Sequence, residues 1–465
     1  MKTVTALSLS LFLFILGAAP AGAAPSLVYS TFLPGARDVA VDSAGNAYVL
    51  GDRGFPFGHF VAKLSPLGEL IFLRQLTLPS MYPSAIAIDP AGYIYVAGTA
   101  NRSDPTETVG SEANEAFVAK LGPDGTGVIY ESFIWEGGST EGVDLAVDAL
   151  GQAYLHYHAR NRNDVEFYTV VRFSPAGSDD RGVGGRAQFV TAMALGPSGD
   201  LFTVGWDLNR DAQVWEFLLE RMDASSGALI ETLVDDRETL SWFVDVAATP
   251  GDGSVVVGTK SERLYVAEFG PAGEEVFSRV LNLGAVEISD VAVTSSGQIV
   301  LAVGTFLLWL EGGTGEVLSS MNLGGRVSAV AVGPGGDVYV SSGGYVSRFS
   351  ENRPPDCSGA TASPSVIWPA NGKMVPVSIL GVTDPEGDAV ALKVTGISQD
   401  EPGAAFSGIG SSVAQVKAER DGKGDGRVYR ILFEATDPSG AACQGEVRVC
   451  VPHDRGKGSC VDGAR

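Results

Sequence analysis

Histidine is scarce, 4 in 465 residues, and positive charge is thin, 32 Lys and Arg against 55 Asp and Glu. The formal net charge of -23 excludes binding to nucleic acid or anionic membrane by charge, since both need a basic face. So few histidines, with His453 far from the rest, leave no Ser-His-Asp arrangement to argue. Cysteine is rarer than usual as well, and none of the 4 has the CxxC spacing of a zinc site. Beyond the N-terminus no apolar run is long enough to cross a bilayer, and nowhere does the period of an amphipathic helix persist.

What is present starts with a targeting signal. Lys2 supplies a positive start, Ala6 to Ala19 is a short apolar run, and Ala21-Gly22-Ala23 has the small-x-small form of a cleavage site. A signal peptide is therefore expected at 1–23. The mature chain is expected to be exported to the periplasm or the extracellular space, without membrane insertion, as a monomer. Cys357, Cys443, Cys450 and Cys460 are even in number, which in an oxidising compartment reads as disulfides, with three pairings open. At this length a large domain plus a smaller one is the expectation.

Repeats organise the large domain. An apolar pentad returns seven times: Asp38–Asp42, Ala85–Asp89, Asp144–Asp148, Ala192–Gly196, Asp245–Thr249, Asp290–Thr294 and Ala329–Gly333. The central residue of each copy is Ala, from Ala40 to Ala331. A turn follows with Gly at a nearly fixed offset, Gly45 in the first copy and Gly253, one place late, in the fifth. Gly there supplies the positive φ of a tight hairpin, and a preceding Asp42, Asp89 or Asp148 bonds the turn's own backbone. A second strand, a third such as Phe60–Leu64 or Phe117–Leu121, and a fourth such as Glu69–Leu76 complete each copy. Four short strands per copy predict a propeller blade. The seventh copy ends at Ser350 without a fourth strand, and Leu27–Leu33 precedes the first copy without a partner. The N-terminal strand is thus expected to complete the last blade and close the ring over 24–350.

Leu27–Leu33 (LVYSTFL), Asp42–Val49 (D-x-x-G-x-x-Y-V) and Phe60–Gly68 (FVAKL-x-P-x-G) resemble the bacterial seven-bladed β-propeller repeat family. The resemblance covers about Leu27 to Ser350, is strongest in the first two copies, and departs most in the third, where Ser178–Gly185 is a poor fourth strand. It implies an exported scaffold or binding protein and brings no catalytic residues.

The polar, proline-bearing stretch 351–356 reads as a linker. Beyond it, Ser365–Trp368, Val375–Val382, Val390–Ile397, Val413–Glu419, Val428–Ala435 and Glu446–Val451 read as strands of an immunoglobulin-like β-sandwich over 357–465. Ile367–Val377 (IWPANGKMVPV), Asp384–Asp388 (DPEGD), Gly426–Tyr429 (GRVY) and Val451–Asp454 (VPHD) resemble a bacterial immunoglobulin-like module that ends secreted proteins. Ala370 and Gly372 stand where the module's motif has Pro and His. In such a sandwich the first and last strands lie side by side, which pairs Cys357 with Cys443 and Cys450 with Cys460.

Each candidate site has a plainer competitor. Asp384, Glu386, Asp388 and Asp437 have the oxygen chemistry of a calcium site, the one cofactor in view; the favoured reading is two Asp-Pro turns at strand ends. Asp421 and Asp425 read as a hairpin loop. His156 and His158 share one strand face, read as ordinary strand surface with a transition metal as the rival, Asp164 and Glu166 being nearby. Asp38, Asp144, Asp245 and Asp290 are expected to begin inner strands and bond nearby backbone, not to catalyse. Phe55, Phe57, Trp135, Tyr157, Trp206, Trp215 and Trp242 are expected to pack between blades. The function expected is non-enzymatic, a cell-envelope or extracellular scaffold whose propeller face binds a protein or glycan. The alternative is a propeller hydrolase or lyase with a metal in its channel.

Overall fold

The computed structural model describes residues 25–465 apart from 55–57, 77–80, 104–111, 137–138, 161–165, 181–188, 210–213, 236–239, 284–286, 351–352, 386–388, 423–424, 438–439, 455–459 and 461–465. The expected signal peptide lies outside the described residues, and so do Phe55, Phe57, Asp164, Glu386 and Asp388. Every element described is a strand except one 3-10 turn at Pro334–Gly336. Among the described residues no helix is long and apolar enough to cross a membrane.

Residues 26 to 350 form seven antiparallel sheets of four strands. Sheet 1 runs Ala36–Val41, Ala47–Asp52, His59–Leu64 and Leu70–Gln75, and the order in the sheet is the order in the chain. Sheets 2 to 7 begin at Met81–Ile88, Ser139–Val147, Phe189–Leu195, Leu240–Ala248, Ile288–Val293 and Val327–Val332. Each first strand adjoins the first strand of the next sheet, and that of sheet 7 adjoins that of sheet 1, so the seven surround a central channel. Sheet 7 takes its fourth strand from the other end of the chain: Ser26–Phe32 pairs with Tyr345–Ser350, Ser26 opposite Ser350 and Phe32 opposite Tyr345.

Packing explains the strand sequences. Each sheet lies between two others, so its middle strands bury both faces and read as continuous apolar runs, as in Ala47–Gly51, wholly buried. The outermost strands are less covered where the sheets fan apart, which leaves Leu70, Ile71, Val128 and Ile129 exposed. The central Ala of each pentad lies directly opposite a residue of the second strand, namely Tyr48, Tyr95, Tyr154, Phe202, Val255, Val300 and Tyr339 in turn. A small side chain there makes room for a large one across the ladder. Just before each pentad the first strand bulges, and the partner strand comes close: a Cβ on Gly98 would sit 2.2 Å from the Tyr82 carbonyl oxygen.

Two expectations change here, at the fifth turn and at Ser365–Trp368. In the fifth turn the left-handed residue is Asp252, with φ 60, and not Gly253, so the turn keeps its register and only its residue type differs. The described fourth strand of sheet 3 is only Asp179–Asp180. In the C-terminal unit, Ser365–Trp368 is not a strand. Pro364 and Pro369 flank it, and it contributes a single bridge, Val366 to Cys450.

That unit has a four-stranded sheet (Thr361–Ser363, Met374–Leu380, Val413–Lys417, Phe406–Ser407) and a three-stranded one (Ala391–Gln399, Gly426–Thr436, Ala442–Pro452). Both feed one core around Val377, Val394, Tyr429, Phe433 and Val449. Disulfides join Cys357 to Cys443 and Cys450 to Cys460. Such bonds fit an oxidising environment.

Candidate binding site at the turn end of the channel

The repeated carboxylates come first, because they sit on the innermost strands. Asp38, Asp144, Asp245 and Asp290 do not begin those strands; each stands inside one, just after the bulge. Their partners are also not merely nearby. Asp38 Oδ1 accepts the Val39 amide (2.8 Å), and Oδ2 accepts the Ile86 amide of the next sheet (2.8 Å). The Oδ2 atoms of Asp245 and Asp290 take Val291 (2.8 Å) and Val330 (2.7 Å) in the same way, and that of Asp144 takes Met193 at 3.4 Å. These four carboxylates therefore strap sheet to sheet, while Ala85, Ala192 and Ala329 leave the other three seams without such a strap.

Each keeps some surface on the narrow channel but has protein all round. Burial, with crowding from Asp290 and Asp144, pushes Asp38 up to about 7. Burial also raises Asp245 to about 7, and it raises Asp290, which Asp245 crowds further, and Asp144. A channel lined this way holds protons more readily than four charges.

A second network, of which the sequence shows only the Asp-held turns, lies at the end of the channel where the hairpin turns gather. Asp42 Oδ1 accepts the amides of Ala44 (3.0 Å) and Asn46 (2.9 Å), closing the turn, and its Oδ2 lies 3.2 Å from the Tyr48 hydroxyl and 3.4 Å from Lys63 Nζ. Asp89, Tyr95 and Lys120 repeat the stack, and Tyr95 also reaches the Gly151 carbonyl of the next sheet at 3.0 Å. In sheet 7 Tyr339 donates to Gly45 O (2.8 Å), and Arg348 binds both Asp337 and Pro66 O at 2.6 Å. Burial pushes the Tyr154 and Tyr339 hydroxyls up to about 12. The signal was there in AYV, IYV, AYL and VYV and in Lys63, Lys120, Arg172 and Arg348 of the third strands, but the carbonyl acceptors of Gly151, Ala224 and Gly45 belong to the following copy.

Sheets 5 and 6 lack this stack. Thr249, Val255 and Glu268 replace it in one, and Thr294, Val300 and Trp309 in the other. Beside this arc a cavity of about 760 Å³ opens across the turns of sheets 3 to 6, lined among others by Asp148, Gln152, Ser198, Asp200, Thr249 and Thr294. Its carboxylates are engaged. Asp148 holds the Leu150 and Gln152 amides, and Asp200 pairs with Arg221. No histidine lines it.

The other candidates fall elsewhere. Among the described residues no group of three or more His, Cys, Asp or Glu is placed to hold a metal. Asp437 Oδ1 accepts the Ala441 amide at 2.9 Å, closing its turn. His156 is not strand surface: it is 1% exposed, in the seam between sheets 3 and 4, because the strand that carries it is covered on both faces. Tyr157 is buried and Trp135 exposed, while the side chains of Trp215 and Trp242 lie outside the described residues.

A family model described as a β-propeller repeat, SBBP, matches residues 71–104. That stretch begins in the outermost strand of sheet 1 and takes in the first two strands of sheet 2, so the repeat as a sequence unit straddles two sheets. No curated protein matches the chain. Similar solved structures include a streptogramin B lyase at 10% identity, covering 69% of this chain and 97% of that one, with a TM-score of 0.48. BamB from Moraxella catarrhalis aligns at 14% identity over 68% of this chain and 83% of its own, TM-score 0.41. The β-propeller domain of Myceliophteria thermophila Cps50 (Swd1) aligns at 10% identity over 69% and 99%, TM-score 0.48. The family match and the ring of four-stranded sheets together make this an all-β chain carrying a β-propeller repeat.

Proposed function

We propose that the chain is an exported, non-enzymatic binding scaffold, a seven-bladed propeller closed by its N-terminal strand and followed by an immunoglobulin-like sandwich. The cavity at the turn end of the channel receives a protein or glycan partner. The observation that carries this reading is that the cavity is open and roomy, while its carboxylates are already used in holding turns and pairing with arginine. A hydrolytic site needs groups held ready for substrate. Hairpin turns whose side chains differ between copies line the cavity, and surface turns on a rigid frame are where binding residues are carried.

The test uses the mature chain against glycan arrays and envelope fractions of the organism that makes it. Leu150, 75% exposed on the cavity rim, is the position to block. Leu150→Arg should abolish saturable binding without moving the melting temperature, and a panel of lactones, esters and glycosides should show no turnover. Turnover lost in Asp148→Asn or Asp200→Asn would replace the scaffold reading with a hydrolase or lyase.

A further inference from the structure

We propose that His156 and His158 form a binding site for a divalent transition metal in the seam between sheets 3 and 4, independent of the binding role above. The two residues alternate along Ala153–Arg160 and share one face. The repeat does not call for them: the place of His156 is taken by Leu50, Ala97, Val204, Val257, Ala302 and Ser341 in the other sheets. His156 lies against the Val190 backbone of sheet 4, which interacts with its ring, but neither ring nitrogen makes a hydrogen bond of normal geometry among the described residues. The same is true of His158 Nε2. Tyr168 stacks on the His158 ring with centroids 4.2 Å apart and so fixes its orientation. From the facing sheet Thr203, 1% exposed, brings another hydroxyl without a described partner, on a strand whose neighbouring Leu201 packs in this seam.

A buried polar group left unmade costs about 1–3 kcal/mol, and a ligand on the nitrogens removes that cost. Paired imidazoles select zinc, copper or nickel over calcium and magnesium, which prefer oxygen. Register supplies two carboxylates on the same face, Glu141 opposite His158 and Asp144 opposite His156. Asp144 is committed to the Leu145 and Met193 amides, so Glu141, which is exposed, is the one able to turn inward. As the side chains stand no third ligand is in place, so the site is a two-imidazole one completed by water or by Glu141.

The experiment is a titration of the chelator-treated full chain with Zn(II), Ni(II) and Cu(II), with Mg(II) and Ca(II) as controls. Zinc is expected to raise the melting temperature of the propeller by about 3–5 °C, magnesium and calcium to leave it unchanged, and Cu(II) to show the resonance signature of two nitrogen ligands. His158→Asn should remove both effects while keeping the metal-free melt, and Glu141→Gln should weaken zinc binding about ten-fold. His158 carries the test because the more buried His156 risks the fold when replaced. Equal zinc responses in wild type and His158→Asn, or no response to any of the three metals, would overturn the proposal and leave buried water as the partner of these nitrogens.

Discussion

The ring and the C-terminal unit solve the same problem in opposite ways. Among its described residues the ring has no covalent cross-link, and its sheets are joined by many small terms repeated from seam to seam: a carboxylate strap, a tyrosine hydroxyl, an arginine on a carbonyl. The C-terminal unit has two disulfides and concentrates its polar bonding on one residue. Arg427, 2% exposed, donates to the carbonyls of Glu419, Glu401 and Pro402 and to Gln399 Oε1, and lies 3.5 Å from Glu401 Oε2. A sheet array that closes on itself has neighbours on every side, whereas a unit of about 100 residues buries less of its surface and gains more from staples.

The contrast can be broken most severely at the ring's closure. Deleting Ser26–Phe32 should lower the propeller's calorimetric transition by about 10 °C or more and leave the C-terminal transition in place; an unchanged ring would mean that sheet 7 is stable with three strands. Reduction should do the reverse. The loop of 86 residues closed by Cys357–Cys443 and the loop of 10 closed by Cys450–Cys460 correspond to about 4.6 and about 2.7 kcal/mol of chain entropy, so thiol reagents should strike the C-terminal transition alone. Arg427→Met should cost that same transition about 3 kcal/mol in denaturant unfolding, because Glu401 and several carbonyls lose their partner; a cost under about 1 kcal/mol would place the guanidinium outside the fold's support.

The smallest effect is one of pH, and it belongs to the ring. A carboxyl raised in the folded state contributes stability that is full below its unfolded value of about 4 and is lost as pH climbs through the folded value. For Asp38 and Asp245 that folded value is about 7. His156, which burial holds down at about 4, works the other way, losing its contribution in acid. Substitution separates the two: Asp38→Asn and Asp245→Asn should each lessen the loss of ring stability between pH 5 and pH 8, read from melting temperatures, and the C-terminal transition should keep its own slope. Parallel slopes in wild type and variants would remove these carboxyls from the pH dependence.

Much of this contrast is local and therefore readable in the chain. The pentads, their glycine turns and the unpaired Leu27–Leu33 depend on neighbours a few residues away, as does the Asp42 turn. The straps do not. Asp38 finds its amide donor, Ile86 N–H, 48 residues later, in the next copy, so its own surroundings read only as a strand start. Tyr339 answers to Gly45, almost the whole ring away in sequence. His156 misled for a related reason: alternation along one strand shows which residues share a face but not whether a neighbouring sheet covers that face. Ser365–Trp368 misled through its apolar content, which the flanking prolines overrule.

The closing strand also sets an order of events. Leu27 sits opposite Phe349, so the segment made first waits for one of the last before it has a partner. During synthesis its bare edge and the side chains of Leu27 and Phe32, 55% and 62% exposed even after closure, invite pairing with other chains. Contacts so distant in sequence slow folding, which lengthens that exposure. A chain interrupted anywhere before Tyr345 has no closed form to reach, and its open edge marks it for proteolysis or aggregation. Closure of sheet 7 therefore requires both ends of residues 26–350.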